Sequence, residues 1–92
     1  MRIDLLLSRF CLFKTRSQAG RAGHENRVWL NGQPARASRE VRAGDKIRFQ
    51  DPLGRMEIEI EVLEIPEGPV SRAGARELYR LLDRRRVEGP WS

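Results

Sequence analysis

Two stretches decide the fold of this chain, Lys14-Thr15-Arg16-Ser17-Gln18-Ala19 and Val28-Trp29-Leu30-Asn31-Gly32. In the first, Thr15 is suited to cap a helix, because its hydroxyl can accept a hydrogen bond from the backbone N–H of a residue in the first turn. In the second, a short strand runs into Asn-Gly, a pair that favours a tight hairpin because both residues tolerate positive φ. The sequence therefore predicts a short helix beside a β-hairpin.

The start of the predicted helix carries two cations, Lys14 and Arg16, and no acid in its first turn. Cations there oppose the helix dipole, which favours acidic residues at an N-terminus. An ordinary capped helix start leaves this unexplained, whereas a bound phosphate would supply the missing negative charge. Free backbone N–H groups, cations and hydroxyls meet at such a position. The pattern favours an anion-binding helix start.

Hydrophobic spacing predicts the other elements of the chain. Apolar residues recur at helical spacing in residues 3–10 and again in residues 71–86, so each segment is predicted to be a helix. The helix capped by Thr15 is expected to end at residue 21 or 22, and Gly20 and Gly23 weaken it. Asn26 is expected to follow it as a left-handed C-cap. Alternating apolar and polar residues predict strands at 27–30, 33–37, 46–50 and 55–62. Together these elements predict an α+β fold.

Charge is distributed unevenly along the 92 residues, whose net charge is +5. Residues 1–48 contain 11 basic and 4 acidic side chains, residues 49–70 contain 1 and 6, and residues 71–92 contain 6 and 3. Nearly all of the cations are arginine, whose planar fork suits bidentate contacts with phosphate. The basic first half indicates a polyanionic partner such as nucleic acid.

Several function classes are disfavoured by what the chain lacks. With one histidine, His24, and one cysteine, Cys11, it has too few of these ligands for a metal site, and we expect no cofactor. Nothing resembles a glycine-rich phosphate loop or a catalytic triad, so we expect a non-enzyme. An unpaired cysteine suits a reducing cytoplasm, and no apolar run is long enough to span a membrane.

Read in order, five pieces of the first half resemble the S-four (S4) RNA-binding domain, also called the alpha-L motif. They are Arg2-x-Asp4, Lys14-Thr15-Arg16-Ser17-Gln18-Ala19, Val28-x-Leu30-Asn31-Gly32, Ser38 and Val41-x-x-Gly44-Asp45-x-Ile47. The resemblance implies two short helices packed on a small, bent antiparallel sheet, with structured RNA held between the second helix and the hairpin loop. The RNA-binding residues it implies are Arg2, Lys14, Thr15, Arg16, Ser17, Gln18, Arg21, Asn31, Arg36, Ser38 and Arg39.

Two further expectations come from the resemblance. Asp4 would orient neighbouring cations rather than touch RNA. The family usually has bulky apolar residues late in its second helix, where this chain has Ala22 and Gly23, so that helix is expected to be short. We expect residues 1–50 to form the RNA-binding domain, residues 51–87 to extend it with a strand and a helix, and residues 88–92 to be a flexible tail.

Within the family, the length and the second half are most similar to the small stand-alone factors of ribosome-associated quality control and to the ribosome-associated heat-shock proteins. This implies a cytoplasmic monomer that binds ribosomal RNA and tRNA on the large ribosomal subunit and stabilises stalled peptidyl-tRNA, with the tailing factor RqcH as a partner. Two alternatives remain: the detached RNA-binding subunit of an RNA-modifying enzyme, and a protein-binding module of the β-grasp type. Four arginines of the last predicted helix form either a solvated face or a second RNA contact: Arg72, Arg76, Arg80 and Arg84.

Overall fold

The structure is a computed structural model that describes residues 1–87, so the predicted flexible tail at 88–92 lies outside the described residues. Within residues 1–87 it has three helices and one five-stranded antiparallel sheet, with strand order β2-β1-β3-β4-β5. This confirms the predicted α+β fold. In chain order the elements are α1 (Ile3–Arg9), α2 (Arg16–His24), β1 (Val28–Leu30), β2 (Gln33–Pro34), β3 (Lys46–Gln50), β4 (Met56–Val62), α3 (Arg72–Ala75) and β5 (Tyr79–Arg86).

Helix α2 begins and ends with the local signals that the sequence predicted. The Thr15 hydroxyl accepts from the backbone N–H of Gln18 at 3.1 Å, as expected for an N-cap. After the helix, Asn26 adopts a left-handed conformation with φ 60°, which favours asparagine or glycine. The helix ends at His24, two or three residues beyond the predicted end, so the expectation of a shorter helix was wrong.

The core lies between the two long helices and one face of the sheet. Helix α1 buries the side of its surface that carries Ile3, Leu6 and Leu7. The alternation of β1, β3 and β4 directs one side of each strand toward these helices, and the rings of Phe13 and Phe49 meet there at 5.5 Å. One cluster of buried apolar side chains therefore fixes α2 relative to the hairpin.

The hairpin between β1 and β2 turns at Asn31 and Gly32, whose φ angles are 51° and 85°. The Asn31 side chain then joins this turn to the next loop. Its Oδ1 accepts from the backbone N–H of Lys46 at 2.9 Å, and its Nδ2 donates to Oδ1 of Asp45 at 3.1 Å. The two turns are therefore held together, which fixes the position of β3 beside β1.

The predicted helix over residues 71–86 is wrong for most of its length. A helix does begin after Ser71, whose hydroxyl accepts from the N–H of Gly74 at 3.0 Å, but it ends at Ala75. Residues Tyr79–Arg86 form β5, which pairs with β4 from end to end except at a β-bulge, where Leu82 has no partner. Pairing with β4 brings Arg85 within 2.7 Å of Glu57. Tertiary pairing of this kind overrides the helical spacing of the leucines, because propensity is a weak local preference.

Candidate nucleic-acid interface

A groove of about 520 Å³, here called the α2 groove, separates the second half of α2 from the segment that follows β2. The width of the groove depends on Gly23, because α2 has no side chain at the point where its backbone approaches the segment after β2. A Cβ on Gly23 would lie 2.7 Å from the backbone nitrogen of Ala37. The residues that line the groove are Arg2, Gly20, Gly23, His24, Asn26, Arg36, Ala37 and Ser38.

Asp4 organises the cations at one end of this groove. Its side chain is almost completely buried, and its Oδ2 lies 3.1 Å from Nη2 of Arg2 and 3.5 Å from Nε of Arg16. The backbone N–H of Leu5 donates to Oδ1 at 2.7 Å, which holds the carboxylate in place. The predicted orienting contacts of Asp4 are therefore confirmed.

The two guanidiniums that Asp4 holds remain accessible from solution. The side chains of Arg2 and Arg16 are 48% and 50% exposed, and one carboxylate neutralises only one of their two charges. This arrangement presents a fixed pair of guanidiniums with an excess positive charge. Guanidiniums of this kind bind phosphate bidentately.

The other predicted residues of α2 lie along its solvent side. Lys14, Thr15, Ser17 and Arg21 are exposed, whereas Gln18 is half-buried. The Thr15 oxygen accepts the N-cap hydrogen bond, so its O–H is still free to donate. Within residues 1–87, Lys14 and Arg21 have no carboxylate within 4.0 Å.

The residues predicted on the hairpin side divide into two groups. Arg36 and Ser38 line the groove opposite α2, and Arg39 is exposed beside them, with its carbonyl accepting from the N–H of Ile3 at 2.9 Å. Asn31 lies at the far end of β1, and its amide is engaged by Asp45 and by the β3 backbone. The structure thus brings Arg36 and Ser38 to the groove but not Asn31.

Several groove residues were missed from the sequence. Gly20 and Gly23, three apart in α2, were interpreted only as weak points of the helix. Glycines at that spacing lie on one helix face, and such a pair is a usable signal of close backbone approach. His24, the last residue of α2, and Asn26 also line the groove, although neither was predicted to do so.

The four arginines predicted as one helical stripe lie on two different elements, α3 and β5. Arg72 lies in α3 and Arg76 at its C-terminal end. Arg80 lies 3.9 Å from Glu61 on one face of the sheet, whereas Arg84 pairs with Ile58 on the other. The predicted helical stripe is wrong, and a role of these residues in RNA binding stays a prediction.

Within residues 1–87, no group of three histidine, cysteine, aspartate or glutamate side chains is arranged to hold a metal ion. None of the helices described there has the length and apolar character needed to cross a membrane.

Comparison with known proteins identifies the family of this chain. Residues 1–47 match the S4 domain, and the chain belongs to this family. It is 44% identical over 66 residues to the RQC P-site tRNA stabilizing factor of Helicobacter pylori, covering 72% of this chain and 76% of that protein.

Two solved structures have the same fold. A trimeric structure of Heat Shock Protein 15 from Vibrio cholerae aligns with a TM-score of 0.81 and 30% identity, over 89% of this chain and 81% of that one. The solution structure of the hypothetical protein HP1423 aligns with a TM-score of 0.73 and 36% identity, over 90% of this chain and 98% of that one.

Proposed function

We propose that this protein is a non-enzymatic RNA-binding factor that binds ribosomal RNA and tRNA on the large ribosomal subunit and stabilises stalled peptidyl-tRNA. Membership of the S4 family and the similarity to a P-site tRNA stabilizing factor support RNA binding and a ribosome-associated role. In this proposal residues 1–50 bind RNA, residues 51–87 extend the same domain, and the protein works in the cytoplasm as a monomer beside the tailing factor RqcH.

The observation that carries the proposal is the groove bordered by arginines on both sides. Arg2 enters from the side of α1, and Arg36 from the segment after β2. Within residues 1–87, no carboxylate lies within 4.0 Å of Arg36 or Arg39. Arg2 shares the Asp4 carboxylate with Arg16, so one of those two charges is in excess. Positive charge on both sides of the groove suits an anionic chain lying between them.

The extent of the basic surface favours a polymer over a small anion. The nine residues of α2 make a helix about 13 Å long at roughly 1.5 Å per residue. Lys14 and Arg16 lie at its start, and Arg21 lies more than a turn further on. One phosphate cannot contact all three side chains, whereas a nucleic-acid backbone presents a phosphate at every nucleotide.

The direct test is co-sedimentation with purified large ribosomal subunits. Replacing Lys14, Arg16 and Arg21 by alanine should release the protein from the subunits while its thermal unfolding stays cooperative. A matched control replaces Arg42, Arg55 and Arg86, three exposed arginines that lie neither at the start of α2 or along it nor in the groove lining. Equal binding of the two variants would refute the site.

Salt dependence measures the number of phosphates involved. About six contacts would give a log–log slope of the binding constant against salt of about −4 to −5, because each neutralised phosphate releases counterions. The triple variant should have a shallower slope, whereas a slope near zero for the unaltered protein would contradict phosphate binding.

The specific RNA can be identified by crosslinking in cells and sequencing the attached fragments. Large-subunit RNA together with tRNA is the expected result. Fragments from small-subunit RNA alone would overturn the proposed role on the large subunit, even if the groove itself binds RNA.

A further inference from the structure

A second groove, here called the β5 groove, opens on the far part of the sheet and has a volume of about 350 Å³. Its floor is aliphatic, and Leu81 at its edge is 54% exposed. The site is separate from the α2 groove, with which it shares no lining residue. The lining residues are Leu12, Ile58, Ile60, Arg76, Tyr79, Leu81 and Arg84.

The arginines of this groove differ from those on the opposite face of the same strands. On that face Arg80 and Arg85 lie 3.9 Å and 2.7 Å from Glu61 and Glu57. Arg76 and Arg84 have no carboxylate within 4.0 Å in the part of the chain that the structure describes. The rim of the β5 groove therefore has uncompensated positive charge.

Strand β5 is also an edge of the described sheet. It pairs with β4 on one side, so its outer backbone N–H and C=O groups are available to an added strand. The many arginines of β5 oppose pairing with a second copy of itself, because like charges would face each other. An acidic segment would meet no such repulsion.

We propose that the β5 groove docks an extended segment of another protein, in which one large apolar side chain is flanked by carboxylates. The apolar side chain would occupy the aliphatic floor, and the carboxylates would pair with Arg76 and Arg84. The segment can add to the free edge of β5, as peptides do in β-augmentation.

A protein segment fits this groove better than RNA. The single aromatic ring in the lining, Tyr79, is already packed against Phe10 at 5.0 Å. Base stacking on proteins relies on such rings, whereas an aliphatic floor suits aliphatic or aromatic side chains. The proposal does not depend on RNA binding by the α2 groove.

The test is an NMR titration of the full chain with the synthetic peptide Asp-Glu-Phe-Glu-Asp and a control peptide with serine for phenylalanine. We expect saturable shifts of the amides of Ile58, Tyr79, Leu81 and Arg84 with the first peptide. The affinity of the control peptide should be lower by a factor of about ten or more, because this peptide lacks the buried apolar side chain. Equal binding of both peptides, or no saturable shift, would overturn the proposal.

Two variants locate the peptide. Leu81→Ser should weaken binding of the phenylalanine peptide about tenfold, and Arg84→Gln should weaken it and reduce its salt dependence. Both side chains are exposed, and thermal unfolding checks that each variant is folded.

A short single-stranded RNA is titrated in the same way. If it shifts the same amides and binds with higher affinity than the peptide, the β5 groove is a nucleic-acid surface and the protein partner is refuted. Unchanged RNA binding by Leu81→Ser is expected, since the α2 groove is intact.

Discussion

Gly20 and Gly23 of α2 are predicted to respond in opposite ways to the same substitution. A Cβ on Gly20 has Oδ2 of Asp4 as its nearest neighbour, at 4.0 Å, which is an ordinary contact. A Cβ on Gly23 would lie 2.7 Å from the nitrogen and 3.1 Å from the Cα of Ala37. These neighbours are backbone atoms, so α2 or the segment after β2 must move.

The magnitudes follow from these distances. Gly20→Ala should raise the free energy of unfolding by about 0.5–1 kcal/mol, because alanine favours the helix and glycine does not. In Gly23→Ala the same gain is opposed by overpacking of about 1–3 kcal/mol, so the free energy of unfolding should fall, by up to about 2.5 kcal/mol. For a domain of this size, each kcal/mol corresponds to about 4–8 °C in Tm.

Thermal and urea unfolding of the two variants beside the unaltered protein measure this difference. Gly23→Ala should also weaken RNA binding, because the displaced segment carries Arg36 and Ser38. If Gly23→Ala proves as stabilising as Gly20→Ala, the close approach of α2 to Ala37 does not exist in solution. The shape of the groove would then need another explanation.

Three further perturbations test the site and its supports. Asp4→Asn raises the net charge by one, yet RNA affinity measured by fluorescence anisotropy should fall, because Arg2 and Arg16 lose the carboxylate that positions them. Tighter RNA binding by this variant would show that the net charge alone determines the affinity. Thr15→Ala should cost about 1 kcal/mol of unfolding free energy through the lost N-cap, whereas Thr15→Ser should retain most of it in urea unfolding. The ammonium of the N-terminus lowers the pKa of Glu40 through a hydrogen bond and Coulomb attraction, from an ordinary value of 4.5. The stabilisation from this contact is present above that value and is lost as the pH falls through the lowered pKa. Unfolding curves of Glu40→Gln and the unaltered protein should therefore differ at pH 7 and converge in acid, and a gap that stays constant as the pH is lowered would refute this origin.

Other parts of the site show how local signals and tertiary contacts combine. The pairing of Asp4 with both Arg2 and Arg16 joins the start of α1 to the start of α2. Because the carboxylate is buried and the guanidiniums are half exposed, the pair is fixed by the fold and still open to an anion. A variant that loosens either helix should therefore affect RNA binding before it unfolds the protein.

Short-range features were readable from the sequence alone. The Thr15 cap, the left-handed Asn26 and the Asn31-Gly32 hairpin depend on residues that are neighbours in the chain, and the structure contains all three. The alternation in residues 55–62 likewise predicts β4. Ile60 and Val62 are buried on one side of this strand, whereas the glutamates on the other side are half-buried and paired with arginines rather than fully solvated. The order of the S-four motifs predicted the family in the same way.

Long-range contacts decided the rest. Leu78 and Leu82 stand at helical spacing, but residues 79–86 form a strand because β4 offers an unpaired edge and glutamates opposite two of the arginines. The β-bulge at Leu82 sends Arg80 and Arg84 to opposite faces, because residues four apart in a regular strand would share a face. The close approach of Gly23 to Ala37 depends on how α2 packs against a segment 14 residues further on. Local spacing carries no information about such partners, since their free energy comes from atoms that only the folded chain brings together.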